Sequence, residues 1–216
     1  MRTVIMTDSC CDLKYDYVIK NNIPIVSLNV IIDKNEIKDD LGQSLGYKEF
    51  YNIIRNGEMP KTSQANAFYF EEEFEKIVKE GSSVIYIAFS SALSGTYNSA
   101  CIAKESVLEK YPNADITIID SKSASRGLGL LVYYANEMLK EGKSKEEIIW
   151  TFFHLCRRVY VIVGVNSFIK MGFMYLKMWS LYVCRSLISF LLCSHNWNPV
   201  LEHPVTPPRS LMLFYV

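Results

Sequence analysis

Residues 83–96 read S-V-I-Y-I-A-F-S-S-A-L-S-G-T. Ser83–Phe89 is a short apolar run rich in β-branched and aromatic residues. That pattern suits a strand buried on both faces. Ser90–Gly95 is a loop of small hydroxyl residues. Thr96–Tyr111 then has helical spacing, with Tyr97, Cys101, Leu108 and Tyr111 along one side and Pro112 just beyond. A buried strand, a small-residue loop and a helix form the unit from which parallel sheets are assembled.

The same unit recurs on either side. Upstream, Thr3–Thr7 reads as a buried strand ending at Asp8-Ser9, followed by a short helix over residues 13–21. Ile25–Ile32 reads as one strand, and Asp33–Gly46 as loop. Tyr47–Asn56 is a helix stopped by Gly57, and Pro60–Gln64 a loop of hydroxyls. Ala67–Glu80 is a helix with Phe70, Phe74, Ile77 and Val78 on one face, ended by Gly81. Downstream, Ala114–Ile119 is a third buried strand, Asp120–Arg126 a polar loop, and Gly127–Lys140 a helix carrying Leu128, Leu131, Val132, Ala135, Met138 and Leu139. Ser144 and Glu147 form a capping box for one more helix. The expected fold is α/β, a mostly parallel sheet with helices on both faces, followed by an incomplete or atypical second domain.

Composition divides the chain. Of 216 residues, 23 are Lys or Arg and 23 Asp or Glu, so the net charge is zero and a strongly basic nucleic-acid binder is disfavoured. Residues 1–150 hold 17 basic and 22 acidic side chains, whereas residues 151–216 hold 6 basic and 1 acidic, Glu202. The three Trp and three His all lie from Trp150 onward. The first apolar run is too short for a signal-peptide core. The six cysteines show neither CxxC pairs nor metal-ligand spacing, which suits free thiols in a reducing cytoplasm. Lys170, Lys177 and Arg185 interrupt residues 159–193, so a membrane span is not expected there.

In a parallel sheet, ligands bind beyond the carboxyl ends of the strands. Hydroxyl residues occupy those positions: Asp8-Ser9, Ser90–Gly95 and Asp120–Ser123. Ser94-Gly95-Thr96 opens a helix, whose first turn offers free N–H groups and the positive end of the dipole to an anion. Ser94 is also a plain candidate for an N-cap. The first 150 residues contain no histidine to activate a serine, and the nucleophile-elbow, P-loop and dinucleotide fingerprints are absent. Asp8 and Asp120 are expected to brace backbone and loop hydroxyls rather than hold Mg²⁺. These features point to binding without catalysis and without a metal or cofactor.

Taken together, T-D-S (7–9), K-T-S-Q (61–64), S-S-A-L-S-G-T-Y-N-S-A (90–100) and I-D-S-K-S-A-S-R-G-L-G (119–129) resemble the DegV family of bacterial lipid-binding proteins. The match spans roughly residues 1–150. The resemblance implies a two-domain α/β protein holding one long-chain fatty acid such as palmitate, in some members presented to a partner kinase for phosphorylation. Carried over by motif, Thr62 and Ser94 would bind the carboxylate, with Ser63 and the Gly95 N–H as neighbours. A cytoplasmic carrier of this kind would touch membranes only transiently and bind no nucleic acid.

Two departures stand out. Cys10-Cys11 replaces the small residues of the family's opening D-S motif. Residues 151–216 lack the family's G-G-R-I segment and are expected to be a hydrophobic remnant of the second domain, truncated or read out of frame. A genuinely replaced tail, packed as hydrophobic helices or lying on a membrane, is the rival reading. A hydrolase or phosphatase using Ser94 and Asp120 is the alternative from a different class, and a non-functional truncated member with a membrane-associated tail is another.

Overall fold

The computed structural model describes residues 2–152. Expectations for the tail lie outside the described residues. Among those described, the strands form two sheets. The larger has the order β2-β1-β6-β7 and is parallel throughout, from β1 (Thr3–Asp8), β2 (Ile25–Val26), β6 (Ser83–Ala88) and β7 (Ile116–Asp120). The smaller is antiparallel, β4-β3-β5, from β3 (Asn29–Ile32), β4 (Asn35–Lys38) and β5 (Lys61–Ser63).

The helices are α1 (Tyr15–Lys20), α2 (Tyr47–Arg55), α3 (Ala67–Lys79), α4 (Thr96–Lys110) and α5 (Ser125–Lys140), with a 3₁₀ turn at Ser9–Cys11. Helices α3 and α4 pack on each other, and α3 lays Phe70 and Phe74 against Tyr86 of β6, with ring centroids 5.0 and 6.2 Å away. Helix α5 packs on β1, β6 and the 3₁₀ turn. It also meets α1, where Asn136 donates to the Tyr17 hydroxyl (3.0 Å). The sheet therefore carries helices on both faces, and every residue of β6 is buried.

Three segments differ from the sequence reading. Ile25–Ile32 is not one strand. Leu28 N donates to Ser9 Oγ (3.1 Å) instead of to a ladder, so the chain leaves the parallel sheet after Val26 and re-forms as β3. Asp33–Gly46 is not all loop. Asp33 and Lys34 adopt φ of 55° and 102°, the backbone of a two-residue hairpin turn, and β4 pairs back onto β3. Pro60–Gln64 contains strand β5, which pairs with the other edge of β3. Polar composition hid both strands, because their pairing partner rather than their own hydrophobicity makes them strands.

Helix α4 also turns a different face inward. Its buried residues are Thr96, Ser99, Ala100, Ala103 and Val107, while Tyr97, Cys101, Leu108 and Tyr111 are half-buried at the margin. Small side chains let α4 approach α3 closely, and the larger ones fill the edges. Lys110 then ties the two helices, reaching Glu71 and Glu75 at 2.6 and 2.7 Å.

Local signals held where they are self-contained. Ser144 N donates to Glu147 Oε2 (2.8 Å) and Glu147 N to Ser144 Oγ (3.2 Å), the reciprocal pair of a capping box. Asn66 caps α3, its Oδ1 accepting from Phe68 N (3.1 Å). Asn66→Ala is expected to lower stability by about 1 kcal/mol and Asn66→Gly by only a few tenths, measured by urea denaturation.

Candidate functional site

Because β1, β6 and β7 are parallel neighbours, the three hydroxyl loops that follow them lie side by side at the carboxyl end of the strands. They are stitched together. Ser90 N donates to Ser123 O (3.1 Å), and Ser121 N to Ala88 O (3.2 Å). Asp120 accepts from Ser91 N (3.2 Å), from the Ser91 hydroxyl, from Lys122 N (3.1 Å) and from Lys122 Nζ (2.6 Å). Partial burial works to raise the Asp120 pKa, but the hydrogen bonds from Lys122 and Ser91 outweigh it and hold the carboxyl below its usual range.

Asp8 is the other brace. It is fully buried and accepts from the Tyr86 hydroxyl (2.8 Å), Phe89 N (2.8 Å) and Cys10 N (3.1 Å). Burial pushes its pKa up to about 6 despite those three donors. The bond to Phe89 N anchors the residue from which the Ser90–Gly95 loop departs. Both aspartates are thus occupied in positioning backbone, and no cluster among the described residues has the makings of a metal site.

Ser94 accepts from Thr96 N (3.2 Å) and shares a hydrogen bond with Thr96 Oγ1 (2.9 Å). The N-cap of α4 is Gly95, without a side-chain cap, so Ser94 is not the N-cap the sequence suggests; it braces the loop just before the helix through a local bond two residues long. Its hydroxyl is half-buried and remains beside the helix N-terminus. Asp120 binds Ser91, so the hydroxyl–carboxylate pair drawn here is Ser91–Asp120 rather than the Ser94–Asp120 pair expected for a hydrolase.

Thr62 and Ser63 separate. Thr62 pairs with Val30 across the antiparallel ladder and so shares its face, whereas Ser63 pairs with Asn29 on the opposite face. The Ser63 hydroxyl lies 3.3 Å from Glu36 Oε1, to which it donates, and Asn29 Nδ2 donates to the same oxygen (2.7 Å). That face also carries Lys38 and Lys61, whereas the Thr62 face carries the buried Val30.

Gln64, two residues beyond Thr62, connects the strand to the helix. Its Nε2 donates to Ser99 Oγ (3.3 Å), and its Oε1 lies 2.0 Å from where a Cβ on Gly95 would stand. Gly95 has ordinary helical φ of −72°, so glycine serves here for close approach and not for backbone freedom. The K-T-S-Q and S-G-T segments, about thirty residues apart in sequence, are thereby in contact. Sequence reading assigned Gln64 and Ser99 no role. The glycine at a helix start was the available signal, and it does not say which side chain fills the gap.

A cavity of about 550 Å³ lies at the other end of the sheet, lined by Arg2, Thr3, Ser83, Asp115 and residues around Lys143–Glu146. Cys10 and Cys11 are buried thiols and Cys101 a half-buried one. No helix among the described residues is long and apolar enough to cross a membrane.

An open parallel sheet with helices on both faces and serine-rich loops beyond the carboxyl ends of its strands defines an α/β domain of the open-sheet class. Family comparison places it more narrowly. The family model described as "Uncharacterised protein, DegV family" matches residues 2–171, and the chain belongs to the DegV family. The family match therefore extends about twenty residues beyond the limit of roughly residue 150 expected from the motifs, so the start of the region expected to depart from the family still belongs to it.

A DegV domain-containing protein of Clostridium perfringens is 54% identical over 145 residues, covering 67% of this chain and 50% of the relative. One from Staphylococcus aureus is 38% identical over 174 residues, covering 79% and 60%. The chain thus spans only half to three-fifths of the length of these curated relatives.

Among solved structures, a stearic acid-binding protein of Eubacterium ventriosum is similar with TM-score 0.65 and 34% identity, covering 70% of this chain and 52% of that one. A DegV family protein of Thermus thermophilus, described by its fatty acid binding, gives 0.63 and 29%, covering 73% and 54%. The Fatty Acid Kinase (Fak) B3 protein of Streptococcus pneumoniae, loaded with linoleic acid, gives 0.60 and 26%, covering 73% and 55%.

Proposed function

We propose that this chain is a cytoplasmic lipid carrier that holds the carboxylate of one long-chain fatty acid between Thr62 and the Ser94 turn, and presents it to a fatty-acid kinase. The observation that carries the reading is the contact of Gln64 with Gly95 and Ser99, which joins the strand bearing Thr62 to the helix start bearing Ser94. Hydroxyl donors and a helix N-terminus suit a carboxylate. Gly95 contributes its N–H to that turn, and Ser63 is set aside to the Glu36 face. Leu93 in the loop and Phe68 in the first turn of α3 are largely exposed apolar side chains flanking the two segments, suited to the start of an acyl tail. Each buried methylene contributes about 0.8 kcal/mol, so the tail supplies most of the affinity and the hydroxyls the orientation. The acids named for the Eubacterium and Streptococcus proteins support this ligand class, and the kinase named for the latter supports the partner.

Mass spectrometry of the purified full chain, native and then denaturing, tests the proposal. One C14–C18 acid per chain is expected. A lipid-free protein with no saturable uptake of palmitate would overturn it.

A further inference from the structure

Gln64 is the side chain that makes the two halves of the cradle one object. Strand β5 ends at Ser63, one residue before it, and α4 begins at Thr96, one residue after Gly95. The carboxamide bridges these ends. Its oxygen fills the place a Gly95 side chain would take, 2.0 Å from the missing Cβ, and its nitrogen holds Ser99 Oγ one turn into the helix. Gln64 follows Thr62 by two residues, just past the end of β5. The residue is exposed, with its carboxamide seated on Gly95 and Ser99 at the surface instead of being sealed in the core.

We infer that Gln64 is a positioning residue whose carboxamide, seated against Gly95 and Ser99, sets the spacing of Thr62 and Ser94 and selects an ionised acyl head group. The inference deepens the proposed function and rests on it. A neutral amide beside the anion adds no repulsion, and its seat requires the absence of a side chain at position 95. A β-carbon there displaces the end of a flexible, exposed side chain, so the helix survives while the seat is lost.

Four full-length variants test this by titration with palmitate and with the matching fatty alcohol, alongside thermal unfolding. Gln64→Ala and Gly95→Ala should each weaken palmitate binding roughly tenfold, while unfolding shifts by no more than about 3 °C. The double variant should be no weaker than either single one, because both remove the same seat. Gln64→Glu keeps the shape and adds charge. It should lower the ratio of acid to alcohol affinity at least tenfold, a change that a merely structural residue would not produce. Palmitate binding by Gln64→Ala equal to that of the unmodified chain, additive losses in the double variant, or an unchanged acid-to-alcohol ratio in Gln64→Glu would overturn the inference alone. An unmodified chain that takes up no acid would overturn the proposed function and the inference with it.

Discussion

Asp8→Ala is expected to unfold the domain or bring it close to unfolding at neutral pH. The substitution strands three buried donors: the Tyr86 hydroxyl, Phe89 N and Cys10 N. Each orphaned group costs about 1–3 kcal/mol, so the total is about 3–9 kcal/mol against a domain stability of about 5–15. Removing the buried charge recovers part of this. Guanidinium denaturation of Asp8→Ala beside the unmodified chain gives the number, and a loss below about 1 kcal/mol would refute the bracing role.

Asp8→Asn separates the brace from the charge. The folded-state pKa of Asp8 is about 6 against 3.8 for a free side chain. An acid whose pKa rises on folding binds its proton more tightly in the native state. Its contribution to stability is complete below pH 3.8 and is lost as pH climbs through 6. At about 1.36 kcal/mol per pH unit the penalty for the ionised form reaches about 3 kcal/mol at neutral pH. Carboxyls held low, such as Asp40 and Asp120, act in the opposite direction and are lost on acidification. The informative quantity is therefore the difference between the two proteins. Asparagine retains an acceptor for Tyr86 and Phe89 and gives up the bond from Cys10 N. From pH 4 to 7.5 the unmodified chain should lose stability relative to Asp8→Asn, by about 2.5 kcal/mol in all; parallel curves would show that Asp8 is already ionised in the acid range.

The second large effect is on binding. Thr62→Ala combined with Ser94→Ala removes two hydroxyl donors from the proposed carboxylate site. Hydrogen bonds to a charged partner contribute about 1.5–3 kcal/mol each, so affinity for palmitate should fall on the order of 10²- to 10⁴-fold. Ser94 also accepts from Thr96 N, and losing that local bond costs about 1 kcal/mol. Ser63→Ala should leave affinity within about twofold, because Ser63 faces Glu36 on the other side of β5. Isothermal titration of the three proteins distinguishes these outcomes. Equal losses from Ser63→Ala and Thr62→Ala would contradict the division of faces.

Parts of this arrangement are legible from short windows of sequence. The strands at Thr3–Thr7 and Ser83–Phe89 and the helices at Ala67–Glu80 and Gly127–Lys140 declare themselves by hydrophobic period and by terminating glycines; the strand expected at Ala114–Ile119 forms as Ile116–Asp120, with only Ile116 and Ile119 buried. The Ser144–Glu147 capping box declares itself by spacing. The polar strands β4 and β5 do not, since β3 between them supplies the reason they are strands. The inner face of α4 is also hidden. Its large residues look like a core stripe, yet close packing on α3 favours Ser99, Ala100 and Ala103.

By itself the chain's order of residues determined the α/β class, the positions of the hydroxyl loops beyond the parallel strands, and the motifs of the family, because apolar periodicity, turn residues and helix caps act over a few neighbours. Only the tertiary structure decided that Asp8 holds Tyr86 and Phe89, that Asp120 takes Ser91, that Thr62 and Ser63 part to opposite faces, and that Gln64 occupies the space left by Gly95. Those pairings join residues about thirty to eighty positions apart or depend on which strand lies alongside, and only folding brings such groups within hydrogen-bonding distance.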